Sequence, residues 1–142
     1  MEKEEGLPMK QIHLARLLIG LVFFFNLQCA LVFLWSPQVY VSSFELSGAA
    51  GEGMIRGLGL LFLMWNVPYA VALWNPVRYR VSLYEAVAMQ SLGVLGETAI
   101  FLSFPGGHAA IHDSVSRFIL FDGFGLAALL VAAWLVWPKK TG

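Results

Sequence analysis

Charge is scarce in this chain. Of its 142 residues, 13% are Asp, Glu, Lys or Arg, against roughly 25% in ordinary soluble domains. Nine bases and nine acids cancel to a formal net charge of zero, which excludes the clustered positive charge that nucleic-acid binding needs. Cysteine occurs once, at Cys29, so there is no intrachain disulfide and no CxxC redox pair. HExxH and a Walker-type glycine loop are also missing, which removes zincin and P-loop chemistry on motif grounds. Cys29 has no evident nucleophile triad around it, and no pair of histidines within the apolar runs invites haem.

What is present is apolar. Hydrophobic residues make up 58% and the mean hydropathy is +0.72, the composition of a membrane protein. Four runs approach the roughly 20 apolar residues that cross a hydrocarbon core: about 12–35, 54–74, 81–104 and 115–137. They predict an all-α integral membrane four-helix bundle, a single transmembrane domain over 1–142. The first run is longer than the roughly 7–15-residue core of a signal peptide and no clear small-residue cleavage site follows it. It reads as a retained span.

Basic residues set the expected orientation. Lys3, Lys10 and Arg16 precede the first span, Arg78 and Arg80 join the second to the third, and Lys139 and Lys140 follow the fourth. Residues 36–53 contain no Lys or Arg, and the third connection has only Arg117, at its end. Both termini are therefore expected in the cytoplasm. Trp35 and Tyr40 mark the outer edge, and Trp74, Tyr79, Tyr84 and Trp137 the inner one, as interfacial aromatics do. Pro37, Pro76, Pro105 and Pro138 fall just past successive helix ends, where a missing N–H does least harm. Pro68, beside Asn66 in mid-span, predicts a kink. The apolar outer segment 36–53 reads either as a short surface helix capping the bundle or as an ordered loop.

Glu97 and Asp122 stand inside apolar runs, where an unpaired charge costs about 2.5–3.5 kcal/mol or more at the bilayer centre. At about 1.5 Å of rise per residue, each lies about 10 Å below the outer end of its helix. Arg56 and Arg117 begin at shallower depth, and long Arg side chains bend toward partners. The expected pairs are Arg56 with Glu97, and Arg117 with Asp122 or Glu97. Ala86, Gln90, Gly93 and Glu97 repeat at helical spacing on one stripe, Asp122 and Gly125 share another, and Gly53, Gly57 and Gly59 surround Arg56. Small residues of this kind let helices approach closely in lipid. Asn26, Gln28 and Asn66 lie near mid-membrane, and Asn26 with Asn66 would form the floor of a pocket opening outward.

Three readings of this cluster remain open: structural glue between helices, a site for a polar or amphipathic ligand, or a proton or ion path. The last is disfavoured because no polar stripe runs from face to face. Glu85 is expected in an interfacial salt bridge with Arg78, Arg80 or Arg16. His108, His112 and Asp113 have a metal-like spacing without an evident third protein ligand, unless Glu45 or Glu52 supplies it. The simpler reading makes the histidines solvated loop residues and Asp113 the N-cap of the fourth helix.

The layout resembles the DoxX-like superfamily of small four-helix membrane proteins. Three stretches carry the resemblance: Arg16-Leu17-Leu18-Ile19-Gly20-Leu21-Val22-Phe23, then Arg56-Gly57-Leu58-Gly59-Leu60-Leu61-Phe62-Leu63 after a proline-containing outer loop, and Gly93-Val94-Leu95-Gly96-Glu97. The resemblance implies an all-α bundle and an accessory role beside a quinone-linked respiratory or sulfur-oxidising enzyme, and no catalytic residue is carried over.

The expected function is binding of a polar-headed lipophilic molecule, such as a quinone or lipid, by Arg56, Glu97, Asp122, Asn26, Asn66 and Gln90, with Arg117 at the rim. The competing reading is an accessory subunit of a larger respiratory or other bioenergetic membrane complex, or a homo-oligomer, whose charges lock helices together. An enzyme using Glu97 or Asp122 as acid or base would need perturbed ionisation that no sequence reveals. The expected location is the prokaryotic cytoplasmic (inner) membrane, with the lipid bilayer as a partner and no nucleic acid. No cofactor is specified.

Overall fold

Runs of Leu, Val, Phe and Ala, interrupted by proline only at Pro68, favour helix, which in lipid satisfies its backbone groups within itself. A computed structural model describes residues 7–138. It contains α1 (Met9–Trp35), α2 (Gln38–Val41), a 3-10 turn (Ser42–Phe44), α3 (Gly48–Trp74), α4 (Arg80–Ser103) and α5 (Ala109–Leu135). α1, α3, α4 and α5 are each long and apolar enough to cross a membrane, the signature of an integral membrane protein. Lys3, Lys139 and Lys140, used above for orientation, lie outside the described residues.

Two helices start earlier than the apolar runs suggest. α3 begins at Gly48, six residues before 54, and α5 at Ala109, six before 115. At 27 residues each, they extend about 40 Å and outrun a hydrocarbon core of about 30 Å, so their polar first turns emerge beyond it. Asp113 is consequently inside α5, and His108 occupies the N-cap without a side-chain capping bond. The expectation of Asp113 as N-cap is corrected accordingly. Pro68 sits within an unbroken α3. Of the two readings of segment 36–53, the structure has the short helix, with the 3-10 turn after it.

Contacts between helix ends fix the arrangement. Near the start of α1, Arg16 Nε donates to the Leu73 carbonyl in the last turn of α3 at 3.0 Å. Arg80 Nε at the start of α4 donates to the Val136 carbonyl just past α5 at 3.1 Å. The described chain ends therefore share one face of the bundle, here called the terminal face. At the opposite face, Ser114 Oγ in α5 donates to the Ser43 carbonyl at 2.8 Å, and His108 Nδ1 pairs with Glu45 Oε2 at 2.6 Å.

The interior is layered. Toward the terminal face, Ala15, Ile19, Val22, Ala72, Leu83, Ala86, Leu129, Ala132 and Val136 pack in one buried aliphatic cluster. Toward the other face, Phe33 is surrounded by the rings of Tyr40, Phe44, Phe62 and Phe118. Leu17, Leu21, Phe24, Leu61, Leu92, Leu95, Leu102, Phe124 and Trp134 point outward, onto lipid. Gly59 sets the closest approach of α1 and α3: a Cβ there would lie 2.8 Å from Phe33 Cβ and 2.9 Å from the Ala30 carbonyl oxygen. Gly53 and Gly57 have open space around them, so of the three glycines near Arg56 only Gly59 brings helices together.

Candidate functional site

Between the aliphatic and aromatic layers lies a polar one. It begins with Gln90, which is 3% exposed and so depends on partners within the bundle. Its Nε2 donates to Asp122 Oδ1 of α5 at 2.8 Å and to the Asp122 carbonyl at 3.3 Å. Its Oε1 accepts from the Tyr69 hydroxyl of α3 at 2.5 Å, and that hydroxyl also reaches the Ala86 carbonyl at 3.3 Å. One amide thus ties three spans. Two glycines make the room: a Cβ at Gly93 would collide with Asp122 Oδ2, and one at Gly125 would lie 2.7 Å from Gln90 Nε2.

These groups border an internal cavity of about 50 Å³, lined by Asn26 and Cys29 of α1, Phe62, Trp65 and Tyr69 of α3, Met89, Gln90 and Glu97 of α4, and Phe118, Phe121 and Asp122 of α5. Every span contributes. Glu97 Oε2 is buried with no hydrogen-bond partner among the described residues. The cavity has room for water but is smaller than the roughly 300–1,000 Å³ of ligand pockets. Beside it, between α1 and α5, a larger recess of about 280 Å³ holds Gln28, Tyr40, Ser114 and Arg117 on an apolar wall. Cavity and recess share Cys29, Phe118 and Phe121.

Glu97, Asp122, Asn26 and Gln90 thus meet at one void. Arg117 is in the adjoining recess, with its Nη2 donating to Ser114 Oγ at 3.2 Å. Arg56 is elsewhere. It is half-exposed and pairs with Glu52 at 3.4 Å, one turn away on the same helix. Asn66 does not line the cavity; its Nδ2 donates to the Phe62 carbonyl at 2.8 Å, and its Oδ1 is buried without a partner.

The expected arginine–carboxylate pairs therefore do not form: among the described residues no ion pair joins Arg56 or Arg117 to Glu97 or Asp122. For Arg56 the reason is local, since a partner at i−4 is reached without crossing the bundle. Glu85 is likewise without an ion pair among the described residues, because Arg16 and Arg80 instead donate to last-turn carbonyls, which lack intrahelical partners. The metal reading gains nothing: no group of three His, Cys, Asp or Glu side chains able to hold an ion occurs among the described residues. His108 instead pairs with Glu45, and the His112 ring meets the Phe101 ring edge-on at 4.8 Å.

Tyr69 was not among the residues expected at the site. The available signal was its position, since a tyrosine in mid-span must find a partner for its hydroxyl while Tyr40, Tyr79 and Tyr84 sit at span edges. Phe62, Trp65, Met89, Phe118 and Phe121 carry no such mark. They are indistinguishable in sequence from lipid-facing residues. Searches against protein-family models, curated proteins and solved structures return no match for this chain.

Proposed function

We propose that this is a small polytopic membrane protein that binds a polar-headed lipophilic small molecule, of the quinone or lipid kind, with its polar head at the cavity between the four spans and its apolar part in the adjoining recess. The observation that carries the reading is that Glu97 and Asp122 both face a void and neither is neutralised by an arginine of the described chain. Carboxyls serving only to lock helices would be consumed by direct contacts, and Glu97 Oε2 has none. Intramembrane ionisable groups without partners are costly and mark binding or transport sites. The recess between α1 and α5 supplies a route from the bilayer. In the orientation favoured by Lys10, Arg16, Arg78 and Arg80, the terminal face is cytoplasmic and the recess opens in the outer leaflet, in a prokaryotic inner membrane.

The test is purification in mild detergent followed by native mass spectrometry of wild type and Glu97→Gln. A small molecule retained by the wild type and lost from a folded Glu97→Gln variant supports the reading. Co-purifying subunits without any small molecule would replace it with the accessory role suggested by the DoxX-like resemblance.

A further inference from the structure

The cavity and the recess beside it differ in charge and size. The cavity presents two carboxyls and no Lys or Arg, with Phe62, Trp65, Tyr69, Phe118 and Phe121 around them. The recess presents one guanidinium, Arg117, flanked by Gln28 and Ser114, on apolar side chains such as Phe25 and Val32. Phe118, Phe121 and Cys29 line both. Resting on the ligand-binding reading above, we propose that the occupant is an amine-headed, zwitterionic phospholipid: its ammonium sits in the inner cavity, its phosphate meets Arg117, and its acyl chains leave through the recess into the bilayer.

Size is the first argument. A cavity of about 50 Å³ suits a small head group better than a whole ligand, since pockets that enclose drug-sized molecules run to roughly 300–1,000 Å³. Charge is the second. An ammonium supplies the positive partner that Glu97 and Asp122 lack among the described residues, and aromatic faces attract it further. Quinone carbonyls only accept hydrogen bonds and bring no positive charge to the two carboxyls. Spacing is the third. Arg117 and Asp122 are five residues apart on α5, about 7.5 Å of rise and about 140° of rotation, so Arg117 lines the recess while Asp122 lines the cavity; a bending Arg side chain brings a phosphate in the recess toward an amine held in the cavity two carbons away. Arg117 donates to Ser114 through one nitrogen, and guanidinium offers five N–H donors in a fork suited to phosphate.

The experiment uses the full chain in a neutral maltoside detergent, with thermal unfolding followed as short-chain phosphatidylethanolamine, phosphatidylglycerol of the same chains, or decylubiquinone is added. Phosphatidylethanolamine is expected to bind at least about tenfold more tightly than either other probe, a difference of about 1.4 kcal/mol. Glu97→Gln should remove that preference, and Arg117→Gln should weaken phosphatidylethanolamine several-fold without abolishing it. Equal affinity for phosphatidylethanolamine and phosphatidylglycerol in the wild type overturns the proposal, and this comparison stands even if Glu97→Gln fails to fold. Decylubiquinone binding most tightly, with sensitivity to Glu97→Gln, overturns the ammonium assignment while leaving the ligand-binding reading in place. Absence of saturable binding by any of the probes overturns both.

Discussion

Replacing Gln90 by Leu keeps the volume of the side chain and removes the amide that joins three spans. Tyr69 is not orphaned, because its hydroxyl retains the Ala86 carbonyl at 3.3 Å. The loss falls on Asp122, whose carboxyl accepts from Gln90 at 2.8 Å and from no other donor among the described residues. A buried polar group deprived of its partner costs about 1–3 kcal/mol. Interhelical polar contacts in membrane bundles average only about 0.6 kcal/mol and reach about 1.7. Gln90 is 3% exposed, so solvent does not readily replace it, which favours the upper part of that range. The expected coupling in a Gln90→Leu, Asp122→Ala double-mutant cycle is therefore about 1–1.7 kcal/mol. It is measured by reversible unfolding in mixed micelles with increasing dodecyl sulfate, read by far-ultraviolet circular dichroism. A coupling below about 0.3 kcal/mol, within ordinary additivity error, would refute the view that this bond organises the polar layer.

The glycine contacts give a matched pair. Gly59→Ala forces a Cβ against Phe33 Cβ at 2.8 Å and the Ala30 carbonyl at 2.9 Å; overpacking of this kind costs about 1–3 kcal/mol. Gly57→Ala, with nothing within 4 Å, should instead be neutral or stabilising by up to about 1 kcal/mol through helix propensity. Thermal unfolding in detergent checks both, and equal stability of the two variants would remove Gly59 from the α1–α3 contact. Arg56→Gln breaks an exposed i,i+4 pair with Glu52, so unfolding should move by less than about 0.5 kcal/mol and ligand retention in native mass spectra should not change. A large loss of bound ligand in Arg56→Gln would return Arg56 to the site.

How much was legible depends on which coordinate of a residue is asked for. Depth is written in sequence, because position along a span converts to height at a fixed rise. That is why four spans, and similar depths for Glu97 and Asp122 below the outer helix ends, could be read from the runs around them. Azimuth is only half written. The stripe through Ala86, Gln90, Gly93 and Glu97 identifies one face of α4, but nothing local says which neighbour that face meets. Arg56 was matched to Glu97 on depth alone, while Glu52, four residues away, needed no tertiary geometry at all.

Helix ends were the other blind spot. Glu52, Arg56, His112 and Asp113 depress the hydropathy of α3 and α5 where those helices run past the hydrocarbon, and a search for apolar residues stops at the lipid rather than at the helix terminus. Glycine was read as a device for bringing backbones together, and at Gly59 it is one. At Gly93 and Gly125 the missing Cβ does something different, since the space is filled by the Asp122 carboxyl and the Gln90 amide. Small residues in a membrane helix therefore have two uses that sequence spacing does not separate: close packing, and housing for a polar side chain from the next helix. The second use is what turns two isolated carboxyls, each costly in its own span, into neighbours across a shared cavity.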